Sequence, residues 1–159
     1  MTAHTLEYAL PEALQEAQEH ARDQGLGHAG GVRPPVAWAL AQAGQAVLVD
    51  VRTAEERKFV GQVPDSLHVP WATGTALTRN PRFARELEAR LAPQGGKQAV
   101  ALLLCRSGKR SALAAQEAAK AGLACVFSVS EGFEGELDAA RQRGHGDGWR
   151  FHGLPWVQD

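Results

Sequence analysis

Ala99-Val100-Ala101-Leu102-Leu103-Leu104-Cys105-Arg106-Ser107-Gly108-Lys109-Arg110-Ser111 is the stretch that decides the fold. Its first six residues are apolar without alternation, the pattern of a strand buried on both faces, as found in parallel sheets covered by helices. From Ser111 to Gly122 the chain is Ala-rich, with Leu113 and Leu123 at the margins, which predicts a helix. Between the two lies a short polar loop containing Gly108. A strand, a tight loop and a helix start leave several N–H groups without helical partners and aim the positive end of the helix dipole at the loop's centre. With Arg106, Lys109 and Arg110 alongside, Cys105 is expected to react as a thiolate. An inert core cysteine is the opposing reading, and it fits poorly because a buried apolar site does not tolerate three cations within five residues. It fits Cys125 instead, which lies in Ala124-Cys125-Val126-Phe127 with no charge nearby.

At 159 residues the chain is long enough for one domain with a substantial core, and 44% apolar with 22% charged residues is ordinary globular composition. A net charge of −1 carries neither a nucleic-acid nor a membrane-surface footprint, so any cationic site must be local. Two cysteines make no disulfide framework and no CxxC or zinc pattern, and His145 and His152 lack metal-ligand spacing, so no metal and no cofactor is expected. Met1 to Leu10 includes Glu7 and lacks the apolar core of a secretory signal, and no stretch is apolar enough to span a bilayer. The expected compartment is reducing and cytoplasmic.

Outward from the Cys105 loop, strand and helix signals alternate, which predicts an α/β fold with a central parallel sheet of about five strands and helices on both faces. Val47 to Arg52 reads as a strand, Thr53 as the cap of a helix to about Val60, and Ser66 to Pro70 as a short strand. Pro81 to Leu91 reads as an amphipathic helix and Cys125 to Val129 as the closing strand. Upstream, Leu10, Leu14, Ala17 and Ala21 share a face of a packing helix between Pro11 and Asp23, a Gly/Pro-rich connector runs from Gly25 to Pro35, and a short helix is expected from Val36 to Ala43. The expected organisation is an N-terminal helical extension over 1–31 and a main domain over 32–159. In such sheets chemistry collects beyond the C-terminal strand ends, where Cys105 falls.

Three motifs, in this order and on these elements, resemble the rhodanese family of sulfurtransferases from about Val32 to Pro155. They are Asp50-Val51-Arg52 followed by a glutamate, Gly61 and Pro64; the Cys105 to Ser111 loop; and Gly153-Leu154-Pro155 after Trp149. The resemblance implies a rhodanese-like fold in which Cys105 takes a sulfane sulfur as a persulfide. It further implies that Arg106, Ser107, Gly108, Lys109, Arg110 and Ser111 cradle an anionic substrate, and that Asp50 and Arg52 position the site. Two departures stand out. Gly61-Gln62-Val63-Pro64-Asp65 replaces the usual Gly-His-Ile-Pro-Gly, and an insert over 134–148 follows Glu131-Gly132-Phe133. That insert is expected either to shape access or dock a partner, or to be a plain surface loop.

The reaction so implied moves a sulfane sulfur from thiosulfate or a similar donor, through Cys105, to cyanide or a thiol acceptor. A sulfur-relay protein is a possible partner; nucleic acid and membrane are not. One alternative is a persulfide carrier or sensing module with little turnover on free substrates. Another is a cysteine phosphatase or arsenate reductase, whose pattern places an arginine six positions after the cysteine. Here that position is Ser111, and Arg110 comes one earlier, a loop better suited to a sulfur atom than to a tetrahedral oxyanion. His68, on a strand, reads as a hydrogen-bonded structural histidine rather than a partner of Cys105. Trp71 could wall the pocket, whereas Trp38, Trp149 and Trp156 read as packing residues.

Overall fold

A computed structural model describes residues 10–159. Residues 1–9 of the expected N-terminal extension lie outside the described residues. Helix α1 (Glu12–Asp23) starts directly after Pro11 and buries Leu14, Ala17 and Ala21, spaced three and four apart on one face. Strand β1 (Gly31–Val32) and helix α2 (Pro34–Gln42) follow, with prolines in the first turn of α2, where no N–H is needed. The boundary expected between 31 and 32 falls inside β1.

Next come β2 (Val47–Asp50), α3 (Ala54–Phe59) and β3 (Leu67–His68), then the antiparallel pair β4 (Ala72–Thr73) and β5 (Thr78–Arg79). Helix α4 (Phe83–Leu91) buries Phe83, Leu87 and Leu91 along one stripe. Strand β6 (Ala101–Leu104), helix α5 (Lys109–Lys120) and strand β7 (Val126–Val129) complete the series. The main sheet has five strands in the order β1-β7-β6-β2-β3, every pair parallel. The expected architecture is therefore the observed one.

Two apolar clusters separate the faces. Ala101, Leu103 and Cys105 of the β6 segment pack with Leu87 and Leu91 of α4 and with Ala114, Ala115 and Ala118 of α5. Leu102 and Leu104 point the other way, among Leu14 and Ala17 of α1, Ala37 and Leu40 of α2, and Trp149. Successive strand residues face opposite sides, so an uninterrupted apolar run was needed to serve both clusters.

Three elements differ from the sequence reading. Helix α5 begins at Lys109 rather than Ser111, because left-handed Gly108 (φ 101°) acts as its N-cap and lets the chain turn directly into the helix. β1 is a two-residue edge strand with no run of alternation to reveal it. β4 and β5 form an antiparallel hairpin in a region to which the sequence reading assigns no element.

Candidate functional site

β2 and β6 are neighbours, in register from Val47 with Ala101 to Asp50 with Leu104. Beyond their C-terminal ends the connections part. The β6 loop leads into α5 on one face, while the β2 loop leads through α3 toward Val60 and Val63, which pack on the other. This divergence makes the junction of β2 and β6 the topological switch point of the sheet, the place where open α/β sheets form their crevice. The Cys105 loop lies on one lip and the N-terminus of α3 on the other.

Cys105 is 1% exposed. Its Sγ accepts a hydrogen bond from the Gly108 N–H at 3.0 Å, the closure of a turn made possible by the left-handed glycine. Sγ also lies 3.3 Å from Ser111 Oγ, which in turn lies 2.7 Å from Ser128 Oγ of β7 and 3.2 Å from the Gly108 carbonyl. As a thiol, Cys105 donates to Ser111. After proton loss, the Ser111 hydroxyl can turn to donate to sulfur while Ser128 donates to Ser111. The N–H groups of Arg106, Ser107, Lys109 and Arg110 have no acceptor among the described residues, so the loop keeps main-chain donors for an anion.

The segment after β7 braces this loop from behind. Phe133 N–H donates to the Cys105 carbonyl at 2.7 Å, and the Glu134 and Gly135 N–H groups donate to the Arg106 carbonyl at 2.9 and 3.1 Å. Gly132, at φ 69°, packs so closely that a Cβ there would lie 2.4 Å from the Arg106 carbonyl carbon and oxygen. The insert thus begins as the backing of the Cys105 loop. Farther on, Asp138 folds it upon itself through the N–H groups of Ala140 and Gln142 and through His145.

The three cations of the loop are unequal. Arg106 and Lys109 are exposed, with no charged or hydrogen-bonding side-chain partner among the described residues. Arg110 instead forms a two-pronged bridge to Glu56 of α3, Nη1 to Oε1 and Nη2 to Oε2, both at 2.8 Å. Glu56 is fixed independently: with Thr53 it makes a capping box, its Oε1 accepting from the Thr53 N–H at 3.1 Å while Thr53 Oγ1 accepts from the Glu56 N–H at 3.1 Å. Burial opposes the Glu56 charge, but Arg110 and the Thr53 N–H outweigh it and hold the carboxyl down at about 2. The Arg110 guanidinium is held above its ordinary range, chiefly by Glu56 against burial, with the charges of Cys105 and Asp50 adding to it.

Asp50 and Arg52 are fully buried and paired side-on, Arg52 Nε to Oδ1 at 3.0 Å and Nη2 to Oδ2 at 2.8 Å. Arg57 adds a second cation to Asp50 at 2.9 Å. Arg52 also donates to the Gly61 carbonyl at 2.7 Å and lies over the Phe133 ring, 4.3 Å from its centroid. The pair therefore ties the end of β2 to the segment that backs the Cys105 loop. His68 Nε2 sits 2.8 Å from the Arg52 carbonyl, which occupies it structurally. Trp71 is buried edge-on against Phe83 and covered by the Arg79 guanidinium 3.5 Å above its ring. Cys125, half-buried at the opposite end of the sheet, has its thiol pushed up by burial. Among the described residues no group of His, Cys, Asp or Glu could hold a metal ion, and no helix is long and apolar enough to cross a membrane.

Sequence reasoning missed Glu56, Ser128 and Gly132 as partners of the loop. Thr53-x-x-Glu56 is a capping-box signature that could have singled out Glu56; the other two carry no local signal.

A family model described as the Rhodanese-like domain matches residues 34–138. The uncharacterized protein RP600 of Rickettsia prowazekii is 36% identical over 112 residues, covering 70% of this chain and 82% of that protein. The crystal structure of Rv0390 from M. tuberculosis is similar at 40% identity and a TM-score of 0.69, covering 81% of this chain and 97% of that one. A thiosulfate sulfurtransferase from Pseudomonas aeruginosa shares the fold at 16% identity and a TM-score of 0.57, covering 92% of this chain and 23% of that one.

Proposed function

The chain belongs to the rhodanese-like domain family, and on that premise we propose that it moves a sulfane sulfur from thiosulfate or a similar anionic donor, through a persulfide on Cys105, to cyanide or a thiol acceptor. The observation that carries this reading is the Gly108 N–H aimed at Cys105 Sγ at 3.0 Å, with four further loop amides that have no acceptor among the described residues. In the first step the Cys105 thiolate attacks the outer sulfur of thiosulfate. An Sγ–S bond forms, the S–S bond of the donor breaks, and sulfite leaves with the bonding pair. In the second step cyanide or an acceptor thiolate attacks the outer sulfur of the persulfide, giving thiocyanate or a new persulfide and returning Cys105 as thiolate. The amides of residues 106–110 stabilise the anionic donor and the charge on the outer sulfur without rearrangement. Ser111 steadies Sγ, Arg106 and Lys109 supply attraction, and Asp50 with Arg52 acts as a positioning pair. The cytoplasm, where both cysteines would stay reduced, is the compartment this chemistry suits.

A phosphatase reading is disfavoured because Arg110 stands five rather than six positions after Cys105 and its charge is already paired with Glu56. Carriage of sulfur for a relay protein remains the second reading, favoured by the near-complete burial of Cys105.

The test is thiocyanate formation from thiosulfate and cyanide, alongside mass spectrometry of the protein after exposure to the donor. Wild type and Cys125→Ser are expected to gain one sulfur and turn over, while Cys105→Ser does neither. Sulfur gain on Cys105 with negligible thiocyanate would make the protein a carrier. Absence of any adduct on Cys105 overturns both.

A further inference from the structure

The bridge between Glu56 and Arg110 crosses the crevice from one lip to the other, and it has a consequence for charge. One guanidinium edge of Arg110, Nη1 with Nη2, lies on the two oxygens of Glu56, so its charge is already compensated by a carboxylate. Glu56 cannot follow Arg110 toward a substrate, because the same carboxylate closes the α3 capping box through the Thr53 N–H and hydroxyl. Both side chains are largely buried, at 14% and 18% exposure, so parting them would leave two poorly solvated charges unpaired. The loop therefore shows the crevice two free cations, Arg106 and Lys109, where its sequence contains three. Arg110 nonetheless stands close to the sulfur, being the residue before Ser111, whose Oγ lies 3.3 Å from Cys105 Sγ.

We propose that Glu56 is the positioning residue that sets the donor's charge: by clamping Arg110 it withholds one cation from the Cys105 loop, so that the site favours singly charged sulfane donors over dianionic ones. This rests on the sulfurtransferase reading and refines its substrate class. Thiosulfate is a dianion, while methanethiosulfonate presents the same sulfane bond on a monoanion, so the two probes differ in the charge at issue. With methanethiosulfonate the attack by Cys105 releases methanesulfinate in place of sulfite.

Glu56→Gln is the informative change, because glutamine keeps the capping box while losing the charge. The expected result is a fall of about tenfold in KM for thiosulfate, a change of less than about twofold for methanethiosulfonate, and little change in kcat. The thiosulfate kcat/KM of the variant should also drop more steeply with added salt. Removing both charges, in Glu56→Gln with Arg110→Gln, should return the ratio of the two KM values to that of wild type. A variant that keeps its circular dichroism yet raises KM for both donors alike, or leaves both unchanged, overturns the proposal and reduces the bridge to a structural tie. A second readout needs no turnover: calorimetric binding of thiosulfate to Cys105→Ser should tighten about tenfold when Glu56→Gln is added, and equal affinity overturns the proposal. Failure of sulfur transfer in wild type would sink the sulfurtransferase reading and leave this binding test in force.

Discussion

Cys105 Sγ owes its setting to three residues from two parts of the chain: the Gly108 amide and Ser111 hydroxyl of its own loop and, behind them, the Ser128 hydroxyl of β7. Ser128→Ala keeps the strand but removes the donor that frees Ser111 to face an anionic sulfur. The rate of sulfur transfer should fall by about three- to tenfold, the effect of one hydrogen bond worth about 1 kcal/mol, and stopped-flow persulfide formation would register it. A larger effect is expected from Gly132→Ala. The new methyl would meet the Arg106 carbonyl at 2.4 Å on a backbone at φ 69°, so both sterics and conformation force the loop off Sγ. We expect transfer to fall by about a hundredfold and stability by about 1–3 kcal/mol, read from single-turnover rates and urea melts. These two residues also mark where the sequence stopped being legible. The nucleophile declared itself through its own neighbours, whereas Ser128 lies 17 positions from Ser111 and reaches it only because β6 and β7 pair.

The strands and helices were readable where period and composition were strong, and blurred where two residues sufficed. α4 follows its apolar stripe at Phe83, Leu87 and Leu91, and β6 follows its unbroken apolar run. β1 exists because β7 offers a parallel edge, a tertiary reason that no local pattern records. α3 is only six residues long, has no fully buried residue, and so depends on its cap more than a longer helix would. Thr53→Ala should cost about 1 kcal/mol in a denaturant melt, with Thr53→Ser restoring most of it. Because the Thr53 hydroxyl also touches Glu56 Oε1, the same alanine variant should loosen the hold on Arg110 and lower the thiosulfate KM part of the way seen for Glu56→Gln.

Taken as a whole, the molecule encloses its sheet between two apolar layers and leaves the ionised groups of the crevice to fix how the layers' loops meet. Trp149, fully buried against Trp38 and donating from Nε1 to the Pro155 carbonyl at 2.9 Å, fastens the C-terminal segment to one layer. The Glu56–Arg110 bridge fastens α3 to α5 across the strand ends. This second fastening depends on pH with a sign that follows from the depressed carboxyl. In the unfolded chain Glu56 takes a proton near its ordinary value of 4.5, whereas in the fold it stays ionised to about 2. Its contribution is therefore complete above about 4.5 and is lost as pH falls toward 2, where the unfolded state holds the extra proton. Burial also pushes the His28 imidazole down, so a separate, earlier loss begins as pH falls below its ordinary 6.5. Urea melts at pH 7, 5, 4 and 3 should resolve the two windows. Glu56→Gln should flatten the profile below pH 4.5 by at most about 1.4 kcal/mol per pH unit, reduced by solvent screening of this partly exposed pair, and should leave the His28 window in place. A variant whose acid limb runs parallel to that of wild type would mean that Glu56 is not held ionised by Arg110, and the charge arrangement of the crevice would have to be redrawn.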